Sequence, residues 1–189
     1  MPRPYSMDRR SAQAARTRDR VVTAAAELFA ERGARATTMT EVARAADVSP
    51  ATVFNHFATH DLLIEAVVTR LMAEVRIPDA TIFTGKRSTK ARLRALTEQM
   101  FEFYDRTGHW HRVLGPELAD VPAVARADAE FRDRVHRLHA EAAGDDAALA
   151  KAITGLVHPL TLTALKQAGM SLAEATALVA DSLAHHARR

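Results

Sequence analysis

Apolar residues recur along this chain at helical spacing. Val21, Val22, Ala25, Leu28 and Phe29 line one side of a helix over 16–32, and Gly33 follows where a left-handed residue ends a helix. Leu62, Leu63, Ala66, Val67 and Leu71 predict a helix over 61–75, and Leu93, Leu96, Met100 and Phe103 another over 89–106. Val124, Phe131, Val135 and Leu138 form the inner stripe of a charged helix over 122–142. The stretch 146–167 is apolar nearly all round and holds Pro159, which predicts a kink. Ser171, with Glu174 three residues on, opens a last helix over 172–187. A short element at 109–114 lies between Gly108 and Gly115-Pro116, and no stretch alternates as a strand does. The expectation is an all-α chain of about nine helices. Pro78 and the run Thr81 to Ser88 read as a loop and a domain boundary.

Two of these helices are short and close together. Thr38 and Glu41 make a capping box for a helix over 39–46, with Val42, Ala43 and Ala46 on its apolar side. Asp47-Val48 fills the turn. Ser49 caps a second helix over 50–56, and Pro50 takes its first position, where a missing N–H costs nothing. Val53 and Phe57 fall on one face at i and i+4, leaving Thr52, Asn55 and His56 to point elsewhere. This is the layout of a helix-turn-helix. Ser and Thr hydroxyls bind phosphates or bases, and Asn makes two hydrogen bonds to adenine in the major groove.

Charge sharpens that reading. The chain of 189 residues carries a net +3. All of it falls in residues 1–60, with nine Arg against six Asp or Glu; residues 61–189 balance 17 against 17. Arg3, Arg9, Arg10, Arg16, Arg18 and Arg20 face only Asp8 and Asp19. Residues 1–15 read as a flexible basic arm, which either follows DNA phosphates or is a solubilising tail. Arg16 to Arg20 are expected at phosphates, and Arg44 is a further candidate contact. With 48% apolar residues a sizeable core is expected. No apolar run approaches the roughly 18 residues of a membrane span, and no secretory signal is visible, so the expectation is a cytoplasmic protein without a membrane partner. Cysteine is absent, which removes disulfides, thiolate metal sites and cysteine nucleophiles.

Residues 18–65 resemble the TetR family of bacterial transcriptional regulators. The matching pieces are Ala24-Ala25-Ala26-Glu27-Leu28-Phe29-Ala30-Glu31-Arg32-Gly33, Thr37-Thr38, and Val42-Ala43-Arg44-Ala45-Ala46-Asp47-Val48-Ser49, followed by Thr52-Val53-Phe54-Asn55-His56-Phe57 and Asp61-Leu62-Leu63. They occur in order and with the family's spacing over about a quarter of the chain; the remainder is similar in length and helical pattern alone. The resemblance implies a DNA-binding domain over 16–76 and an effector-binding and dimerisation domain over 77–189. It implies a homodimer on a double-stranded DNA operator. Thr38 is then a phosphate contact, and Ser49, Pro50, Ala51, Thr52, Phe54, Asn55 and His56 form the recognition segment. His60 takes the place of a phosphate-binding lysine.

Four positions depart from the family's pattern. Asp47 and Ala51 replace common glycines, Phe54 replaces a frequent tyrosine, and His60 replaces the lysine. With an ordinary pKa of about 6.5, a phosphate-facing His60 predicts tighter DNA binding at pH 6 than at pH 8.

The remaining chemistry is sparse. His56 and His60 are spaced i, i+4 as in helical metal pairs, but no local carboxylate or thiol completes a set, and no metal or cofactor is expected. His136 with His139, and His185 with His186, read as solvated faces. Gly85-Lys86-Arg87-Ser88 lacks the earlier glycine of a phosphate loop, and no catalytic motif is present, so an enzyme is not expected; the weakest reading is a helical enzyme using His109 or His111. A small, mainly apolar effector would meet Met100, Phe103, Tyr104, Trp110, His111, Phe131, Val135, His158 and Leu162, each of which serves equally as plain core. Leu149, Ile153, Leu156, Leu160, Leu172, Val179 and Leu183 suit either a four-helix dimer interface or a monomer interior, and the resemblance favours the dimer. The functional expectation is a ligand-responsive repressor released from a palindromic operator. The alternative is a ligand-binding or protein-interaction module with weak or lost operator binding.

Overall fold

The computed structural model describes residues 5–108 and 118–187, with side chains from Arg9 onward. Nine α-helices are found among the described residues, and no strand: α1 (Tyr5–Arg32), α2 (Met39–Ala45), α3 (Pro50–His56), α4 (His60–Glu74), α5 (Thr89–Thr107), α6 (Pro122–Ala143), α7 (Ala147–Leu156), α8 (Pro159–Gln167) and α9 (Leu172–His186), with one 3₁₀ turn at Ala80–Phe83. The fold is all-α.

The local signals act as expected. Thr38 Oγ1 accepts from the Glu41 N–H at 3.2 Å while Glu41 Oε2 accepts from the Thr38 N–H at 2.8 Å. Ser171 and Glu174 repeat this box at α9. Ser49, Ser88 and Asp146 cap α3, α5 and α7. Each such cap satisfies an N–H the helix cannot, for about 1 kcal/mol.

Two elements differ from the pattern. The helix predicted from residue 16 begins at Tyr5, so residues 5–15 are helical and not an extended arm. The side chains of 9–16 are all exposed, so no buried face marks this stretch in the sequence. The helix predicted over 146–167 is broken, not merely kinked: α7 and α8 meet at 51°. Proline at the first position of α8 drives His158 into extended backbone (φ −134°, ψ 144°), and the helix cannot run through it. No single helix among the described residues is long and apolar enough to cross a membrane.

The chain divides into two units. One contains the described residues to Glu74 together with 118–127. Its core joins Val21, Ala25 and Phe29 of α1, Val42 and Ala43 of α2, Val53 and Phe57, and Leu63, Ile64 and Val67 of α4. Leu118, Val121 and Val124 complete that core, although a boundary near residue 77 assigns them elsewhere. The other unit contains Val75–Gly108 and the residues from Asp128 on. There α5 packs along α9, and Leu93, Leu96, Met100, Phe101, Leu149, Ile153 and Leu183 are fully buried.

Candidate functional site

The reading head is built from the second short helix. Val53 is 0% and Phe57 2% exposed, and they hold α3 against the first core. The opposite side then presents Pro50, Ala51, Phe54 and Asn55, all exposed, with Thr52 and His56 half-buried. Phe54 leaves half of its surface in water. No described hydrogen bond engages the Asn55 amide, whose donor and acceptor stay available for a base edge.

The turn that orients α3 is held from α1. Asp47 adopts φ 51°, the left-handed region for which a glycine is usual. The Arg20 guanidinium donates to the Asp47 carbonyl at 2.8 Å and to the Ala46 carbonyl. These are unpaired carbonyls at the end of α2, so Arg20 is a cap and not the phosphate contact expected of it. Arg18 lies over the Phe57 ring, 4.9 Å from its centroid, which places its cation at the C-terminal end of α3. Arg16 and Arg44 are exposed.

Two expected phosphate contacts sit differently from the reading above. The Thr38 hydroxyl donates to Glu41 Oε2 at 2.8 Å and accepts from the Glu41 N–H. The Thr38 backbone N–H, and then its hydroxyl, hold the Glu41 carboxyl below its usual range, with Arg32 and Arg44 adding to the effect. A phosphate at Thr38 therefore has to displace a carboxylate. His60 is turned inward. Its ring meets Phe29 edge-on, and its Nε2 is buried without a hydrogen-bond partner among the described residues. Burial, and then the Arg35 cation, push its pKa below the ordinary value, against smaller opposing effects of Asp61 and the Thr37 backbone. The lysine-like role is corrected on this geometry. Arg35 itself bridges Asp61 at 2.7 Å and Asp120 at 2.8 Å, tying α4 to residues 118–127 within this unit.

Within residues 21–67 the chain matches the model of bacterial regulatory proteins of the tetR family. Residues 21–67 therefore form a TetR-type segment. The chain is 33% identical over 76 residues to the HTH-type transcriptional regulator UidR of Escherichia coli K12, covering 38% of this chain and 39% of that one. It is 28% identical over 115 residues to the HTH-type transcriptional repressor KstR2 of Rhodococcus jostii, covering 58% and 56%. The chain thus spans about two fifths to just over half the length of these relatives. The multidrug binding protein EbrR, solved with imidazole, shares the fold at TM-score 0.56 and 22% identity, over 89% of this chain and 88% of that one.

In the second unit, Met100, Phe103, Tyr104, Phe131, Val135 and Leu162 gather in one cluster, with Phe103 stacked on Phe131 at 5.8 Å. Burial pushes the Tyr104 hydroxyl above its usual range. Trp110, with His109 and His111, lies outside the described residues. His158 does not join the cluster. It is exposed, and its Nδ1 accepts the Leu160 N–H at 3.2 Å as the cap of α8. A groove of about 370 Å³ runs between α5 and α9, past Lys90, Arg94, Glu102 and Asp181.

Four of the residues assigned to a dimer interface are interior to this chain: Leu149 (1%), Ile153 (0%), Val179 (4%) and Leu183 (0%). Leu172 is half-buried. Leu156, Leu160 and the unanticipated Leu178 are exposed. Helices α7 and α9 pack on the same core, so their inward leucines are already covered. His139, expected on a solvated face, is only 3% exposed. Its position four residues after Val135, on the inward stripe, is the signal that locates it.

Proposed function

We propose that this chain is a transcriptional regulator, acting as a homodimeric repressor that lays α3 in the major groove of a palindromic operator and leaves it when a small, mainly apolar effector binds. The observation that carries this is the geometry of α3, a short capped helix pinned by Val53 and Phe57 with Pro50, Ala51, Phe54 and Asn55 facing outward. Its place inside the segment matched to regulatory proteins of the tetR family supports it, as does the repressor among the relatives. Arg16, Arg18 and Arg44 supply phosphate contacts, with Thr38, Ser49, Thr52 and His56 at the rim of the face.

Residues 16–76 are the DNA-binding domain in this reading, and residues 77–189 bind effector and partner. The multidrug-binding neighbour supports a small-molecule effector, and the cluster of Met100, Phe103, Phe131, Val135 and Leu162 supports its mainly apolar character. The partner covers Leu156, Leu160 and Leu178. Effector binding shifts α4, the paired heads change separation, and they cease to match half-sites about 34 Å apart. A cytoplasmic location accords with this role.

Selection of bound fragments from genomic DNA tests the proposal. It predicts a palindromic consensus and a gel shift that an apolar compound reverses. The second reading, a module with weak or lost operator binding, is favoured by the committed Thr38 hydroxyl and the inward His60. Competition separates the two: a working reader prefers its operator over random DNA by about 10³-fold or more, whereas a lost reader binds all DNA alike.

A further inference from the structure

Two side-chain nitrogens of the second unit, Arg92 Nε and His139 Nε2, are buried without a hydrogen-bond partner among the described residues, and the chemistry of the histidine can be read completely. His139 on α6 is 3% exposed. Its Nδ1 lies 3.2 Å from the Thr154 hydroxyl on α7. That hydroxyl donates its single hydrogen to the Ala150 carbonyl at 3.0 Å, so towards His139 it offers only lone pairs. Nδ1 therefore carries the ring proton. Nε2, at the other end of the ring, is buried with no hydrogen-bond partner among the described residues. Burial, helped by His136 and His158, lowers the pKa of this histidine to about 4, so the ring is neutral at pH 7. His139 accordingly holds a bare acceptor lone pair inside an apolar core.

Such an atom calls for a donor. The buried hydroxyls of Thr97 and Thr107 in this unit already donate to the Leu93 and Phe103 carbonyls. No acidic side chain is buried among the described residues, so nothing there balances an ammonium ion. We infer that His139 Nε2 is the polar anchor of the effector site, and that the effector is an uncharged, mainly apolar molecule carrying a hydroxyl or N–H that donates to it. This rests on the effector reading above and specifies the ligand chemistry that reading leaves open. Val135, Leu138 and Ala142 flank His139 on α6, and Ile153 lies beside Thr154, which suits the apolar remainder of such a molecule. Thr154 acts as a positioning residue, since it selects the tautomer that leaves Nε2 bare.

The test uses the full chain with phenol and its methyl ether, anisole, as probes of similar shape that differ in the donor. Binding is followed by calorimetry and by the ¹⁵N resonances of His139. Phenol is expected to bind the wild-type chain about tenfold more tightly than anisole, equivalent to about 1.4 kcal/mol. It should also move the Nε2 signal upfield, whereas anisole leaves that signal in place. The preference should vanish in His139→Leu and survive in part in His139→Gln, which keeps an acceptor; circular dichroism checks that both fold. Equal affinities in the wild-type chain, as when solvent alone caps Nε2, overturn the inference, and so does a preference that persists in His139→Leu. If phenol binds through His139 but leaves the operator complex intact, the anchor stands and the effector reading fails. If donor-free compounds release operator from wild type and His139→Leu alike, the anchor fails and the effector reading stands.

Discussion

The imidazole of His60 meets the phenyl ring of Phe29 edge-on, with centroids 5.9 Å apart and planes at 77°. This contact turns toward the core a residue that the family pattern places at a DNA phosphate. Burial is the main cause of its lowered pKa, with the Arg35 cation second. Both effects disfavour the charged ring, and its inward position keeps it from acting as a cation at the DNA surface. The expected outcome is that His60→Gln leaves the pH profile of operator affinity between pH 6 and 8 unchanged. Fluorescence anisotropy at low salt checks this, and a gain at pH 6 that disappears with the substitution contradicts it.

Acid should destabilise the second core through His139. Its pKa falls from 6.5 to about 4 on folding, chiefly by burial. Between those values the unfolded chain binds more protons than the folded one, so stability is fully present above pH 6.5 and drains as the pH falls toward 4. The loss amounts to about 3 kcal/mol at one pKa unit per ~1.4 kcal/mol. Urea unfolding of wild type and His139→Leu across pH 7 to 4 measures it: the substituted chain should lack this part of the decline. Parallel curves argue against the assignment.

Asn55 faces outward and its amide is free of described hydrogen bonds. Asn55→Ala should weaken operator binding by about 10- to 100-fold, the usual value of about 1–3 kcal/mol for a bidentate base contact, and relax the preference at one base pair. The melting temperature should not move. Binding to random DNA should be nearly unaffected, because no phosphate contact is lost.

Asp47 holds φ 51° in the turn between α2 and α3. An L-residue with a Cβ is strained there by roughly 1–2 kcal/mol, of which Asp recovers part. Asp47→Gly should therefore stabilise the chain by about 0.5–1 kcal/mol, since the bond from Arg20 goes to the main-chain carbonyl and survives. Chemical denaturation gives the sign directly.

Leu160 and Leu149 should separate surface from interior. Leu160 is 71% exposed, and Leu160→Glu is expected to dissociate the proposed dimer in analytical ultracentrifugation without unfolding the chain. Leu149 is 1% exposed, and Leu149→Ala should cost about 2–5 kcal/mol of stability through the cavity it leaves. A Leu160→Glu chain that remains dimeric removes this face from the interface.

What the sequence determined by itself was local. The caps at Thr38, Ser49 and Ser171, the stop at Gly33 and the break at Pro159 are decided within a few residues, because each follows from one backbone N–H, one carbonyl or one fixed φ. The all-α class and the outward face of α3 follow from helical periodicity, which needs only one turn's worth of neighbours. Tertiary structure alone decided where amphipathic or two-sided residues went. His60 and His139 carry rings that suit water or core equally, and their burial depends on Phe29 and Thr154, far away in the chain. The same holds for Leu149 and Leu183, which a fully apolar helix offers to any partner until the packing of α5, α7 and α9 covers one side. It holds also for Leu118, Val121 and Val124, whose stripe is legible but whose core belongs to the N-terminal helices. Periodicity tells which side of a helix avoids water; only the assembled chain tells what that side touches.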